Sequence, residues 1–246
     1  MLTRLPNVPS SCVQGVIRAL CRAYMVGCHR LETDVPDGFP HGGPLLAIVN
    51  HSSNLDAVAY AAADPSRPPA RAVAKESLLR VPVVNWLMSH WGAIPVTRDG
   101  HDVAALRSIV EVLRQGHRVA VAAEGTRSRD GHLGPLNRVL VKLVVDLARR
   151  NVPIVLGVAI GTHQALPPGT FWPRPTKVRV VLSLPIDLSP WAGQKIADSE
   201  LEAVGTFLQA SMAAMLPPDQ RPQPGTPALT PQHPVPASPP AQTLTL

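Results

Sequence analysis

The stretch VNHSSNLDAV, residues 49–58, sets an imidazole, His51, five positions before a carboxylate, Asp56. A neutral imidazole takes a proton from an alcohol, and a carboxylate on its other nitrogen fixes the tautomer and stabilises the cation that forms. That chemistry needs the two side chains in contact. A regular helix turns residues five apart by roughly 140°, and in a strand odd offsets point to opposite faces. The chain must therefore bend between them. PLLAIVN before the pair reads as a buried strand and LDAVAYAAA after it as a helix, which predicts a strand-to-helix turn carrying both groups. Spacing alone fits a polar surface turn equally well, with Asn50 and Ser52 as ordinary capping residues.

A second stretch, AAEGTRSRDG (122–131), directly follows the strand-like RVAV. Gly125 and Thr126 at a strand end expose backbone N–H groups, and Arg127 and Arg129 add forked donors suited to phosphate oxygens. Glu124 cannot bind an anion itself, so its roles are to orient an arginine or accept a substrate hydroxyl. The alternative is a polar turn that binds nothing. GAIPVTRDG again places an arginine, Arg98, just past a strand end. Loops that follow three parallel strands converge on the carboxyl edge of the sheet, where open α/β folds bind ligands.

The elements that must position these loops are readable. Strand-like runs LLAIV, RAVA, AIPVT, RVAVAA, VPIVLGVAI and KVRVVLSL alternate with helical stretches near 56–63, 82–91, 101–115 and 136–150. The alternation predicts an α/β fold with a largely parallel central sheet flanked by helices. A final helix, DSELEAVGTFLQASMAAML, closes the domain. Within 13–28, Val13, Val16, Ile17, Leu20, Cys21, Tyr24, Met25 and Cys28 form one apolar stripe, with Gln14, Arg18 and Arg22 off it. This N-terminal amphipathic helix either packs on its own domain or lies in a membrane interface with its arginines near headgroups. The predicted organisation is this helix in 1–30, the α/β domain in 31–216, and a disordered tail in 217–246, which holds 10 of the 28 prolines.

Composition narrows the partners. Residues 71–150 hold 13 of the 23 Lys and Arg but only 7 of the 17 Asp and Glu, so the whole net charge of +6 lies in that stretch. An anionic partner is expected there. The basic residues lack interleaved aromatics for base stacking, which argues against nucleic acid and for phosphate or a membrane surface. Three cysteines, Cys12, Cys21 and Cys28, crowd one short segment, unlike a disulfide framework. No apolar run reaches the roughly 18 residues of a spanning helix, so a peripheral protein on the cytosolic side of a membrane is expected. G-x-S-x-G, P-loop, G-x-G-x-x-G and H-E-x-x-H patterns are absent. His90, His101 and His117 have no metal-ligand spacing, so no metal site is predicted.

Taken together, NHSSNLD, GAIPVTR, EGTRSRDG and VPIVLGVAI, in that order, resemble the four sequence blocks of the lysophosphatidic acid acyltransferase family of glycerolipid acyltransferases. The resemblance covers roughly residues 40–190. It implies transfer of a fatty acyl group from an acyl-CoA or acyl carrier protein thioester to the hydroxyl of 1-acylglycerol 3-phosphate, with no cofactor beyond that donor. It implies that His51 is the general base and Asp56 its orienting partner. Arg98, Glu124, Gly125, Thr126 and Arg127 would hold the acceptor, chiefly its phosphate, with Lys75 of the matching KE segment as a further basic contact. The sequence departs from the family at Ala122 and Ala123, in the place of Phe-Pro, and at 136–139, where LNRV replaces Phe-Lys-x-Gly. A usual proline of the fourth block is also missing around Leu156 and Gly157. Asn137 stands in the lysine position, with Arg138 beside it as a substitute cation. These departures leave room for another lysolipid, glycerol 3-phosphate or an amino-lipid as acceptor, or for a catalytically idle membrane-binding protein.

Overall fold

The computed structural model describes residues 11–96, 103–193 and 197–230. In chain order the elements are α1 (Ser11–His29), β1 (Glu32–Asp34), β2 (Leu45–Val49), α2 (Leu55–Ala63), β3 (Arg71–Lys75), α3 (Pro82–Trp91), β4 (Ile94–Val96), α4 (Val103–Arg114) and β5 (Arg118–Ala122). There follow α5 (Arg138–Ala148), β6 (Ile154–Ile160), the short α6 (Thr162–Ala165), β7 (Arg179–Leu182), the short α7 (Ser189–Ala192) and α8 (Asp198–Met215). The strands form one sheet in the order β1-β7-β6-β2-β5-β3-β4, in which only β6 and β7 run antiparallel. The edge strand β1 was not expected; ETD has neither alternation nor an apolar residue, and pairing with β7 alone makes it a strand.

The central strands are buried on both faces, as parallel strands covered by helices must be. Along β6, Ile154, Leu156 and Val158 enter the core under α4, α5 and α8, while Ala159 faces the smaller core of α1 and α2. In α8, Leu201, Val204, Leu208 and Met212 recur at helical spacing and are all fully buried. Each such side chain contributes about 1.5–3 kcal/mol by leaving water. β2 lies between β5 and β6, with Val49 level with Ala122 on one side and Gly157 on the other. The loops after these three strands therefore leave from one edge.

Two expectations change. The α1 stripe splits: Ile17 and Met25 are buried against the domain, with Cys21 partly so, whereas Val16, Leu20 and Tyr24 face outward. Gln14, off the stripe, is buried and donates to Trp91 O at 3.0 Å. Arg18 and Arg22 do not point away from protein; their Nη1 atoms donate to Ser66 O (3.2 Å) and Ala62 O (3.4 Å), carbonyls at and beyond the end of α2. Residues 217–230, expected to begin a disordered tail, instead pack on the domain. Gln220 and Leu229 are buried, and Leu229 bridges Leu136 in parallel. Proline removes donors and bars regular structure, but it does not prevent a segment from docking through its carbonyls and apolar side chains. Residues 231–246 lie outside the described residues.

Candidate active site

The bend after β2 brings the His51 and Asp56 side chains together as their spacing required. Asp56 occupies the first turn of α2, and its Oδ2 accepts from His51 Nδ1 at 2.9 Å, Ser52 N at 2.7 Å and Ser53 N at 2.8 Å. One carboxylate oxygen thus closes the turn and holds the ring. The start of α2 favours the negative charge. Ser53 Oγ accepts from Leu55 N and donates to Leu166 O, tying the turn to the segment after α6. Asn50 fixes the other end: its Nδ2 donates to Ala159 O, and its Oδ1 accepts from Ala159 N and the Tyr60 hydroxyl. Full burial drives the Tyr60 pKa well above its usual value, and the nearby carboxylates of Asp56 and Glu124 add to this, so it stays a donor.

With Nδ1 held by Asp56, the imidazole presents Nε2 as its lone-pair nitrogen. Among the described residues Nε2 has no hydrogen-bond partner, and the side chain is 29% exposed while Asp56 is buried. The pair has the arrangement of a general base with its orienting carboxylate.

The loop after β5 lies against this turn. Ser128 N donates to His51 O at 2.8 Å, Arg127 Nη1 to Asn54 Oδ1 at 2.9 Å, and His51 N to Glu124 Oε2 at 3.2 Å. Glu124 is therefore neither an arginine clamp nor a free surface acid; it is buried and braces the backbone of the base. Burial, with Asp56 as a further negative neighbour, pushes its carboxyl pKa up to about 8 against the hydrogen bonds it accepts. Gly125 has φ +72°, and a Cβ there would stand 3.0 Å from Asn137 Nδ2, so this turn requires glycine. Thr126 and Gly125 are exposed beside it.

A raised carboxyl pKa has a signed consequence for stability. Between about 4.5 and about 8 the unfolded chain ionises Glu124 while the folded chain keeps it neutral. The folded state binds more protons, so its stability is full below about 4.5 and declines as pH rises to about 8. A Glu124→Gln protein lacks this group, and its melting temperature relative to wild type is expected to rise as pH goes from 5 to 8. A difference that is constant across that range would show that Glu124 is ionised in the fold.

The remaining expected site residues divide. Lys75 ends β3, two strands from β2 and outside the set of hydrogen bonds around His51. Arg98 lies outside the described residues; β4, which precedes it, ends at the same sheet edge. Asn137, in the expected lysine position, caps α5 by accepting from Val139 N and Leu140 N. Arg138 does not replace the lysine, because its guanidinium is engaged by Glu202 and Asp198 of α8. Thr162 and His163 were missed. The Thr162 hydroxyl lies 3.4 Å from Ser52 Oγ, and His163 Nδ1 lies 3.2 Å from Ser52 O. They follow β6 by more than a hundred residues from His51, so no local spacing signals them. Among the described residues no group of three His, Cys, Asp or Glu is placed to hold a metal ion.

Beside the turn opens a cavity of about 370 Å³ lined by Glu124, Thr126, Arg127 and Arg129 together with Gln223 and Thr226. An imidazole–carboxylate pair on a turn bonded to the lining of a cavity that carries two guanidinium groups suits an alcohol that also bears a phosphate.

The chain is 30% identical over 165 residues to a chloroplastic 1-acyl-sn-glycerol-3-phosphate acyltransferase of Arabidopsis thaliana, covering 63% of this chain and 45% of that protein. It is 32% identical over 157 residues to the 1-acyl-sn-glycerol-3-phosphate acyltransferase of Limnanthes douglasii, covering 62% and 54%. The chain thus spans about half the length of these curated relatives. The crystal structure of the 1-acyl-sn-glycerophosphate acyltransferase of Thermotoga maritima superposes with a TM-score of 0.66, covering 82% of this chain and 79% of that one at 21% identity, which establishes a shared fold. The Acyltransferase family profile matches residues 25–157. Because that match spans more than half of the 246 residues and includes the His51 turn and the loop after β5, the chain belongs to the Acyltransferase family.

Proposed function

We propose that this protein transfers a fatty acyl group from acyl-CoA or acyl carrier protein to the free hydroxyl of 1-acylglycerol 3-phosphate, giving phosphatidic acid. The observation that carries the reading is the 2.9 Å His51–Asp56 contact, on a turn whose backbone is bonded to Glu124 and Ser128, two residues lining the cavity that also holds Arg127 and Arg129. The acceptor hydroxyl gives its proton to His51 Nε2 as its oxygen attacks the thioester carbonyl. The C–O bond forms, the C–S bond breaks, and the imidazolium returns the proton to the departing thiolate. A thioester is already activated, so positioning and a base suffice without an enzyme nucleophile. The three cysteines all belong to α1, and none is among the hydrogen-bond partners of His51 or Asp56. The direct test supplies purified protein with lysophosphatidate and each donor in turn. Phosphatidate formation supports the reading, and its absence with both donors overturns it. Asn137 in place of the expected lysine favours a second reading, the same reaction on another lysolipid, glycerol 3-phosphate or an amino-lipid, which the same assay separates by acceptor.

A lipid acceptor requires the site to meet a bilayer, and we propose peripheral attachment at the cytosolic face. No helix among the described residues is long and apolar enough to cross a membrane. Support comes from exposed apolar side chains: Val16 and Leu20 on α1, Val83 and Trp86 on the contacting α3, and the pair Phe171 and Trp172, 91% and 87% exposed. Aromatic and aliphatic groups so displayed partition into the headgroup boundary. Because Arg18 and Arg22 already donate to carbonyls, apolar contact is the main expected source of affinity. Phe171→Ser combined with Trp172→Ser should therefore lower co-sedimentation with phosphatidylglycerol vesicles while the soluble fold melts as wild type does. Unchanged co-sedimentation would remove this loop from the interface.

A further inference from the structure

The C-terminal segment 217–230 does more than cover the domain. We propose that it is one wall of the acceptor site and that Gln223 is a positioning residue for the acceptor's phosphate, acting through Asp130; this rests on the acyl-transfer reading of the same cavity. The segment is held along its length. Gln220 O accepts from Leu133 N at 2.9 Å, Ala228 O from Leu136 N at 2.8 Å, and Thr230 N donates to Leu136 O at 2.9 Å. Gln209 of α8 donates to both Gly134 O and Pro227 O, linking the loop after β5 to the segment. Leu229 is buried so closely on Gly205 that a Cβ there would come within 2.4 Å of it. Such contacts leave no role for the segment as a free tail.

Its polar side chains share the cavity with the cationic loop: Gln223, Thr226 and Thr230 line it together with Arg127 and Arg129. Asp130 also lines it, and a bare carboxylate there would repel a phosphate. The structure engages that carboxylate instead. Asp130 Oδ1 accepts from Ser128 Oγ at 2.9 Å and His132 N at 3.1 Å; Oδ2 accepts from Gln223 Nε2 at 3.1 Å and lies 3.4 Å from His132 Nδ1. Gln223 is thus the contribution of the segment to this set. Without its amide, the Oδ2 charge is less compensated and the positive potential of Arg127 and Arg129 is weakened where the phosphate must lie.

The test uses the full chain with glycerol 3-phosphate as the probe, because its binding is measured by calorimetry without any turnover. Gln223→Leu should raise the glycerol 3-phosphate Kd about tenfold, the size of one lost hydrogen bond to a charged group. Adding Asp130→Asn to that variant should restore it, since the repelling charge is gone. Where turnover is measured, the acceptor KM should follow the same pattern with the donor KM unchanged. A purely structural role for Gln223 predicts neither the rescue nor the split between substrates. Wild-type protein that does not bind glycerol 3-phosphate, a Gln223→Leu Kd equal to wild type, or a Kd that stays raised in the double variant would each overturn the proposal. Failure of acyl transfer with glycerol 3-phosphate binding and rescue intact would overturn the acyl-transfer reading and leave the phosphate-positioning role standing.

Discussion

A His51→Ala protein is expected to fold as wild type does and to lose turnover by about 10²–10⁴-fold, the usual worth of a positioned general base. The imidazole is partly exposed and its contacts are few: Nδ1 meets Asp56, while the backbone of His51, which serves Glu124 and Ser128, is untouched by the change. The loss should therefore appear in kcat, with the KM of both substrates little altered. A folded His51→Ala protein within a few-fold of wild-type turnover would remove His51 from the reaction.

Asp56→Asn is the second large effect, and its structural logic differs. Oδ2 of Asp56 accepts three hydrogen bonds, from the imidazole and from two backbone N–H groups. An asparagine oxygen in the Oδ2 place can keep all three donors, but it lacks the charge that stabilises the imidazolium formed in the reaction, and its NH₂ takes the buried Oδ1 place, where the carboxylate oxygen has no hydrogen-bond partner. Turnover is expected to fall by about 10²–10⁴-fold, as for loss of the base itself. Because the two residues act as one unit, His51→Ala combined with Asp56→Asn should cost little more than His51→Ala alone. Multiplying losses in the double variant would mean that Asp56 works independently of the imidazole. Circular dichroism and melting of each variant separate a broken turn from a broken mechanism.

The sequence by itself determined what depends on neighbours along the chain. The turn that carries His51 and Asp56 was legible because a strand and a helix, each marked by its own periodicity, flank it, and such a bend permits the contact that the fold then makes. That β2, β4 and β5 end at one sheet edge was legible because alternating strands and helices favour parallel neighbours, and parallel strands end at one edge. Helix spans such as Pro82–Trp91 and Asp198–Met215 followed from apolar spacing nearly to the residue.

Tertiary structure decided the rest, because it depends on which surfaces meet. One apolar stripe on α1 gave no sign that Ile17 and Met25 would turn inward and Leu20 outward; the position of α2 and α3 makes that division. Arg138 read as a substitute phosphate contact until α8 placed Glu202 and Asp198 against it. Glu124 read as a group that orients an arginine or accepts a substrate hydroxyl, and only its burial under the His51 turn raises its pKa and makes it a brace for the His51 backbone. The proline-rich end carried the least information. Its composition shows no helical or strand periodicity, yet it forms a 3-10 turn at Pro218–Gln220 and docks through carbonyls and single side chains such as Leu229, whose partners Leu136 and Gly205 are distant in sequence. Periodicity reports which face of an element seeks cover, whereas the partner that supplies the cover is fixed only when the whole chain closes around the sheet.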